Sequence, residues 1–204
     1  MQHVHYFQVG SHIGDTFNDG MFNKVQTGNN IILIEPVPYL FETLKEKYAA
    51  KTKDNQIIFL NVAISNKNDS LTLYIPSPKN DFTKFPGWAS QLASVNKDHI
   101  PKHISNLAVD TIQVPCYTLN KIFEMMEVKT IDTLLVDTEG HDYDILMDLD
   151  LSKLKPTTIE FEHKHMDGVF TRGERFNKLM NHLSGYGYKT IKEDAENITL
   201  TRSQ

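Results

Sequence analysis

The run Val9-Gly10-Ser11-His12-Ile13-Gly14-Asp15 holds two glycines four positions apart, directly after an apolar stretch and ahead of a segment compatible with a helix. Glycines so placed let backbone N–H groups come close to a small ligand at a helix N-terminus. The spacing is not the G-x-G-x-x-G of a dinucleotide fingerprint, and the Gly-Lys-Ser/Thr of a phosphate-binding loop is missing. Glu35 closes the next apolar run, at the strand-end position where a carboxylate accepts from both hydroxyls of a ribose.

Two further strand ends carry polar chemistry. The run Leu135-Val136-Asp137-Thr138-Glu139-Gly140 passes from apolar residues into acids, where open α/β sheets bind ligands and where oxygen atoms favour a cation. Asp142 is expected to cap the helix that follows. The run Glu160-Phe161-Glu162-His163-Lys164-His165 ends another strand with acids, imidazoles and an amine, a costly set inside a sheet unless it lies at a site or in solvent. Glu162 and His163 are the candidates for a general base, and His165 is expected beyond the sheet. These groups with Asp137 could also hold a divalent ion such as Mg or Mn, but the spacing matches no strong metal motif and no metal ligand is assigned.

Strand-like runs at residues 4–9, 31–34, 57–64, 71–75, 111–114, 133–136 and 157–162 alternate with helical patterns at 16–25, 37–48, 119–126, 142–146 and 172–183. The clearest helix repeats Val37, Leu40, Phe41, Leu44 and Tyr48 on one face. Residues 188–192 and 197–201 read as a closing antiparallel pair. The pattern predicts an α/β fold, a mostly parallel sheet with helices on both faces and a C-terminal hairpin. Residues 76–109 break it, with prolines, Trp88 and weak periodicity; they read as a lid or substrate loop containing a short helix near 90–95.

A chain of 204 residues with 40% hydrophobic and 23% charged residues is expected to form one globular domain, 1–204. A net charge of -5 without a basic block argues against nucleic acid as an obligatory partner. The lone Cys116 leaves no internal disulfide, no run approaches the ~20 apolar residues of a membrane span, and the N-terminus lacks a signal-peptide layout. A cytoplasmic protein without a membrane partner is the expectation. Oligomeric state is not readable.

Taken together, Gln8 to Asp15, Ile34-Glu35-Pro36, Asn61-Val62-Ala63-Ile64-Ser65 and Leu135 to Gly140 resemble the successive motifs of FkbM-type methyltransferases. The resemblance implies a Rossmann-like seven-stranded methyltransferase sheet, S-adenosylmethionine as methyl donor, and O-methylation of a hydroxyl on a sugar or other small natural product. It also implies that Gly10, Ser11, Gly14 and Asp15 surround the donor's amino-acid end, Glu35 the ribose, and Val62 and Ala63 the adenine, with Asp137 beside the methyl group and His12 and Pro36 in the same donor-binding set. Residues 90–94, with Phe85 and Trp88, would line the acceptor pocket. Gln8 stands where many methyltransferases carry an acid, and His12 where this family commonly has asparagine. Two alternatives stay open: a non-catalytic methyltransferase-like binding domain and a nicotinamide-dependent oxidoreductase.

Overall fold

The computed structural model describes residues 2–15 and 20–202. In chain order the first elements are β1 (His3–Val9), α1 (Gly20–Lys24), β2 (Asn30–Ile34), α2 (Pro38–Tyr48), β3 (Gln56–Leu60), β4 (Ala63–Ile64) and β5 (Asp69–Pro76). Then come α3 (His99–His103), β6 (Val109–Tyr117), α4 (Leu119–Met125), β7 (Thr130–Val136), α5 (Asp142–Asp148) and β8 (Thr158–Glu162). The last are α6 (Glu174–Gly185), β9 (Tyr188–Glu193) and β10 (Asn197–Arg202). Of the helix expected at 16–25, residues 16–19 lie outside the described residues; α1 is the rest of it.

Among the described residues seven strands make the main sheet, ordered β3-β2-β1-β7-β8-β10-β9. The strands from β3 to β8 run parallel, and β10 pairs antiparallel with both β8 and β9. This is the Rossmann-like, mostly parallel seven-stranded sheet with a C-terminal antiparallel hairpin that the sequence leads one to expect. The apolar run in β2 is buried on both faces, as a central parallel strand requires. Its Ile31 and Leu33 pack with Leu44 and Tyr48 of α2, while Ile32 and Ile34 join the core that α4, α5 and α6 cover.

Residues 57–64, expected as one strand, divide at Asn61. The Asn61 side-chain amide donates to the carbonyls of Glu35 (2.8 Å) and Pro36 (3.1 Å), which turns the chain out of the main sheet. Ala63 and Ile64 then pair with β6, and β5 pairs with β6 on its other side, so the run at 71–75 belongs to a separate three-stranded sheet, β4-β6-β5. The segment after β5 holds its own small core of Ala89, Leu92, Ile100, Ile104 and Leu107, and Ser94 bridges back to Tyr74. The short helix expected near 90–95 is a 3-10 turn at Gly87–Gln91, and the segment's α-helix is α3. No helix among the described residues is long and apolar enough to cross a membrane.

Candidate functional site

Strand order reverses at β1: the chain moves from β1 outward through β2 to β3, and returns to place β7 and β8 on the other side. Loops leaving the carboxyl ends of β1 and β7 therefore diverge and open a crevice. Gly10 sits at that point with φ +80°, and a Cβ there would meet the Asp137 carbonyl oxygen at 1.8 Å. Only glycine lets the two strand ends approach so closely.

The loop's amides bond within the chain. Those of Gly10 and Ser11 donate to the Ile34 carbonyl (3.0 and 2.9 Å), that of Gly14 to Ser11 (2.9 Å), and that of His12 to Glu35 Oε2 (2.8 Å). Glu35 is buried at the end of β2 and also accepts from the Val37 amide at 2.8 Å. Burial pushes its carboxyl up to about 7, against the two amides that favour the anion. His12, in left-handed backbone, has its imidazole driven down to about 4 by burial, so it is neutral at pH 7.

Gly10, His12, Glu35, Pro36, Val62, Ala63 and Asp137 line one cavity, whose far wall is Ile64, Leu71 and Leu73 from the second sheet. Ser11, Gly14 and Asp15 do not line it. Ser11 is buried toward a neighbouring cavity; Gly14 packs on α2, where a Cβ would meet Tyr48 at 2.5 Å; Asp15 pairs with Lys47 at 2.8 Å. Gln91, Ala93, Ser94 and Val95 close the cavity from the 76–109 segment, but Phe85 packs within that segment's own core and Trp88 is 38% exposed. Those two aromatics line neither cavity: Phe85 packs inside the segment, and Trp88 stands at its surface, edge-on to His103. His141 was not anticipated from sequence; its Nε2 lies 2.7 Å from Ser65 Oγ and it also lines the cavity.

A second cavity adjoins the first, sharing Gly10, His12, Gln91, Asp137 and Glu139. Its wall is acidic: Asp137, Glu139, Glu160, Glu162, Asp194 and Glu196 against Lys24, Lys164 and Lys192. Burial, and then the charges of Asp137, Glu139 and Asp142, hold the Glu162 carboxyl far above its ordinary range, so it keeps a proton at neutral pH. Strand alternation explains why Glu160 and Glu162 face this cavity while His163 does not. The His163 ring packs on Phe176 at 5.5 Å between centroids, and Arg172 reaches its Nε2 at 3.0 Å. It lies at neither cavity.

Asp142 corrects another expectation. It is the first residue inside α5, with His141 at the cap, and its Oδ2 accepts from Thr138 Oγ1 at 3.0 Å. The side chain is fully buried, and burial raises its carboxyl to about 7. His165 lies beyond β8, as expected, but its side chain is only 5% exposed, packed against Glu139 and Glu162. Burial lowers its imidazole to about 4.

A family model described as the methyltransferase FkbM domain matches residues 8–190. Among solved structures, the chain is similar to methyltransferase FkbM from Methylobacillus flagellatus, with TM-score 0.53 and 13% identity over 97% of this chain and 42% of that one. It is also similar to a fibrillarin pre-rRNA processing protein from Methanococcus jannaschii (TM-score 0.46, 14% identity, 98% of this chain and 67% of that one). A third is precorrin-6y C5,15-methyltransferase from Geobacter metallireducens (0.45, 10%, 100% and 82%). The chain thus spans less than half the length of the solved FkbM protein. No curated protein matches its sequence.

Proposed function

The chain belongs to the FkbM methyltransferase family, and we propose that within it this chain transfers the methyl group of S-adenosylmethionine to a hydroxyl of a small acceptor, a sugar or related natural product. The observation that carries this reading is the meeting of an apolar, carboxylate-rimmed cavity with an acid-lined one at Gly10, His12, Gln91, Asp137 and Glu139.

The first cavity suits the donor chemically. Val62, Ala63, Leu71 and Leu73 offer apolar walls for a flat purine, and Glu35 keeps lone pairs for ribose hydroxyls beyond the two amides it already accepts. Gly10 and His12 border the same space, Pro36 holds the turn after Glu35, and Ser11, Gly14 and Asp15 support the loop rather than touching the ligand. Bound S-adenosylmethionine supplies a methyl group on a positively charged sulfonium.

Asp137 and Glu139 border both spaces, so their oxygens favour positive charge at the junction. An acceptor hydroxyl loses its proton as its new bond to carbon forms, and Asp137 is the group that takes it. Glu162, already protonated, donates a hydrogen bond that orients the acceptor. His163 has no part in this scheme. Residues 76–109 act as a cover through Gln91 and Ser94, in one domain with the sheet. Calorimetric titration with S-adenosylhomocysteine, followed by methyl-transfer assays on hydroxylated acceptors, tests the reading. An absence of binding at high micromolar concentration removes it; binding without transfer to any acceptor favours a binding domain.

A further inference from the structure

We propose that His99, His103, His165 and Glu139 form a binding site for a divalent transition-metal ion of the zinc type. One donor atom from each of the three histidines lies within 4.8 Å of the other two, and donor atoms of Glu139, Glu162 and His165 converge within the same limit. His99 Nε2 and His165 Nε2 both stand 3.3 Å from a single oxygen, Glu139 Oε2. Zinc bonds of about 2.0–2.1 Å in a tetrahedron separate neighbouring ligands by about 3.3–3.4 Å. The spacing is that of ligands around an ion.

These contacts are not hydrogen bonds. His99 Nε2, Glu139 Oε2 and Glu162 Oε2 are all buried and lack a hydrogen-bond partner, although such groups are ordinarily satisfied. A cation between His99 and Glu139 accounts for the first two. His103 Nδ1 lies 2.9 Å from the His99 carbonyl, which can only accept, so Nδ1 carries the proton and Nε2 keeps the lone pair a metal needs. The elements are shaped for the cluster. His99 and His103 are one turn apart on α3; Glu139 and Gly140 both have positive φ, at 52° and 97°; and the His165 carbonyl lies 3.1 Å from where a Gly140 Cβ would stand.

Three imidazoles disfavour magnesium and calcium, which take oxygen ligands, and favour zinc and its neighbours. His3, His5 and Asp132 form a second His/Asp group, but there His3 Nδ1 already meets Thr130 Oγ1 (2.7 Å) and His5 Nδ1 accepts from the Asn30 amide (2.9 Å). Because Glu139 lines both cavities, an ion at His99 and His165 borders the acceptor space; that placement, unlike the binding itself, rests on the methyltransferase reading.

The test is zinc content and affinity of the whole chain after removal of metal and titration with zinc, with cobalt(II) as a spectroscopic probe. Expected are about one zinc per chain and a visible cobalt band of tetrahedral nitrogen and oxygen ligation. Magnesium in large excess should not displace the ion. His103→Ala, at a half-buried position, and His99→Gln should each weaken zinc binding more than tenfold, with unchanged circular dichroism confirming the fold. A His3→Ala/His5→Ala double variant should bind as the wild type does. Absence of stoichiometric zinc, equal competition by magnesium, or zinc retained in both cluster variants and lost in the His3/His5 variant would each overturn the proposal. Titration with S-adenosylhomocysteine in parallel separates failure of the metal site from failure of the donor site.

Discussion

Replacing Gly10 by alanine puts the close approach of β1 and β7 to a quantitative test. The added Cβ would lie 1.8 Å from the Asp137 carbonyl oxygen, and real Cβ atoms essentially never come within 3.0 Å of such an atom, so the strand ends must part by about 1.2 Å (3.0 less 1.8). The atom in the way is backbone, and its residue's amide is bonded to Val9 at 3.0 Å, so no rotamer change relieves the clash. Left-handed φ costs alanine about 1–2 kcal/mol, and the forced parting adds roughly 1–3 kcal/mol. At about 2–4 °C per kcal/mol for a chain of this size, the midpoint of thermal unfolding should fall by about 4–20 °C. Gly28 is the matched control: its φ is +86° but nothing lies within 4 Å of its Cβ position, so Gly28→Ala carries the backbone term alone, about 2–8 °C. Differential scanning calorimetry with and without S-adenosylhomocysteine reads both effects. Gly10→Ala should lose the ligand's stabilisation and Gly28→Ala should keep it. Equal melting shifts for the two variants, with ligand stabilisation preserved in both, would refute the reasoning.

Glu35→Gln should weaken S-adenosylhomocysteine binding about 10–150-fold, the range of a charge-assisted hydrogen bond, as measured by calorimetry. In the wild type, with the Glu35 carboxyl near 7 and ribose hydroxyls favouring its anion, affinity should rise as pH increases toward 7 and level off above it; a flat profile from pH 5.5 to 8 would contradict this, as would an enthalpy independent of buffer ionisation. Asp142 is an acid whose folded value is raised to about 7, so its contribution to stability is lost as pH climbs from about 4 to 7; Asp142→Asn should gain melting temperature over the wild type at pH 8 and not at pH 4, read by thermal denaturation at both. Asp167 accepts from the amides of Gly173, Arg175 and Phe176 at 2.9, 3.0 and 2.9 Å and so closes the N-terminus of α6. Asp167→Ala should cost about 1–2 kcal/mol in chemical denaturation while leaving S-adenosylhomocysteine affinity unchanged.

The parts of the site built from a strand and the turn that follows it were legible in the sequence. Gly10, Glu35 and Asp137 each end an apolar run, and local order alone placed them at one edge of a parallel sheet. What the sequence concealed depended on partners far along the chain. Asn61 was the local sign that residues 57–64 could not remain one strand, but the carbonyls it bonds belong to Glu35 and Pro36, so the break could not be inferred from periodicity. The separate sheet of β4, β5 and β6 was hidden for the same reason: a strand's sequence records its alternation, not which sheet it joins. His163 was favoured over His165 because it is nearer the strand, yet the pleat turns His163 toward Phe176 and the reversal after β8 brings His165 to Glu139. The pair His99 and His103 gave a helical spacing, but Pro101 between them obscured the helix.

The location of the two cavities follows from the strand order more than from any one motif. Connections leave β1 toward β2 and reach β7 from the opposite side, so the carboxyl ends of β1 and β7 are the point in the sheet where neighbouring loops part. The parting exposes the Gly10 and Asp137 backbones to a shared space. The second sheet then walls that space with Leu71 and Leu73 on one side, and the alternation of β8 walls it with Glu160 and Glu162 on the other. An apolar chamber and an acidic one therefore meet around Gly10, with His12, Gln91, Asp137 and Glu139 bordering both. That division suits a large, partly apolar donor and a small polar acceptor held on either side of one junction, and it explains why a methyl group on Gly10 should disturb ligand binding and strand pairing together.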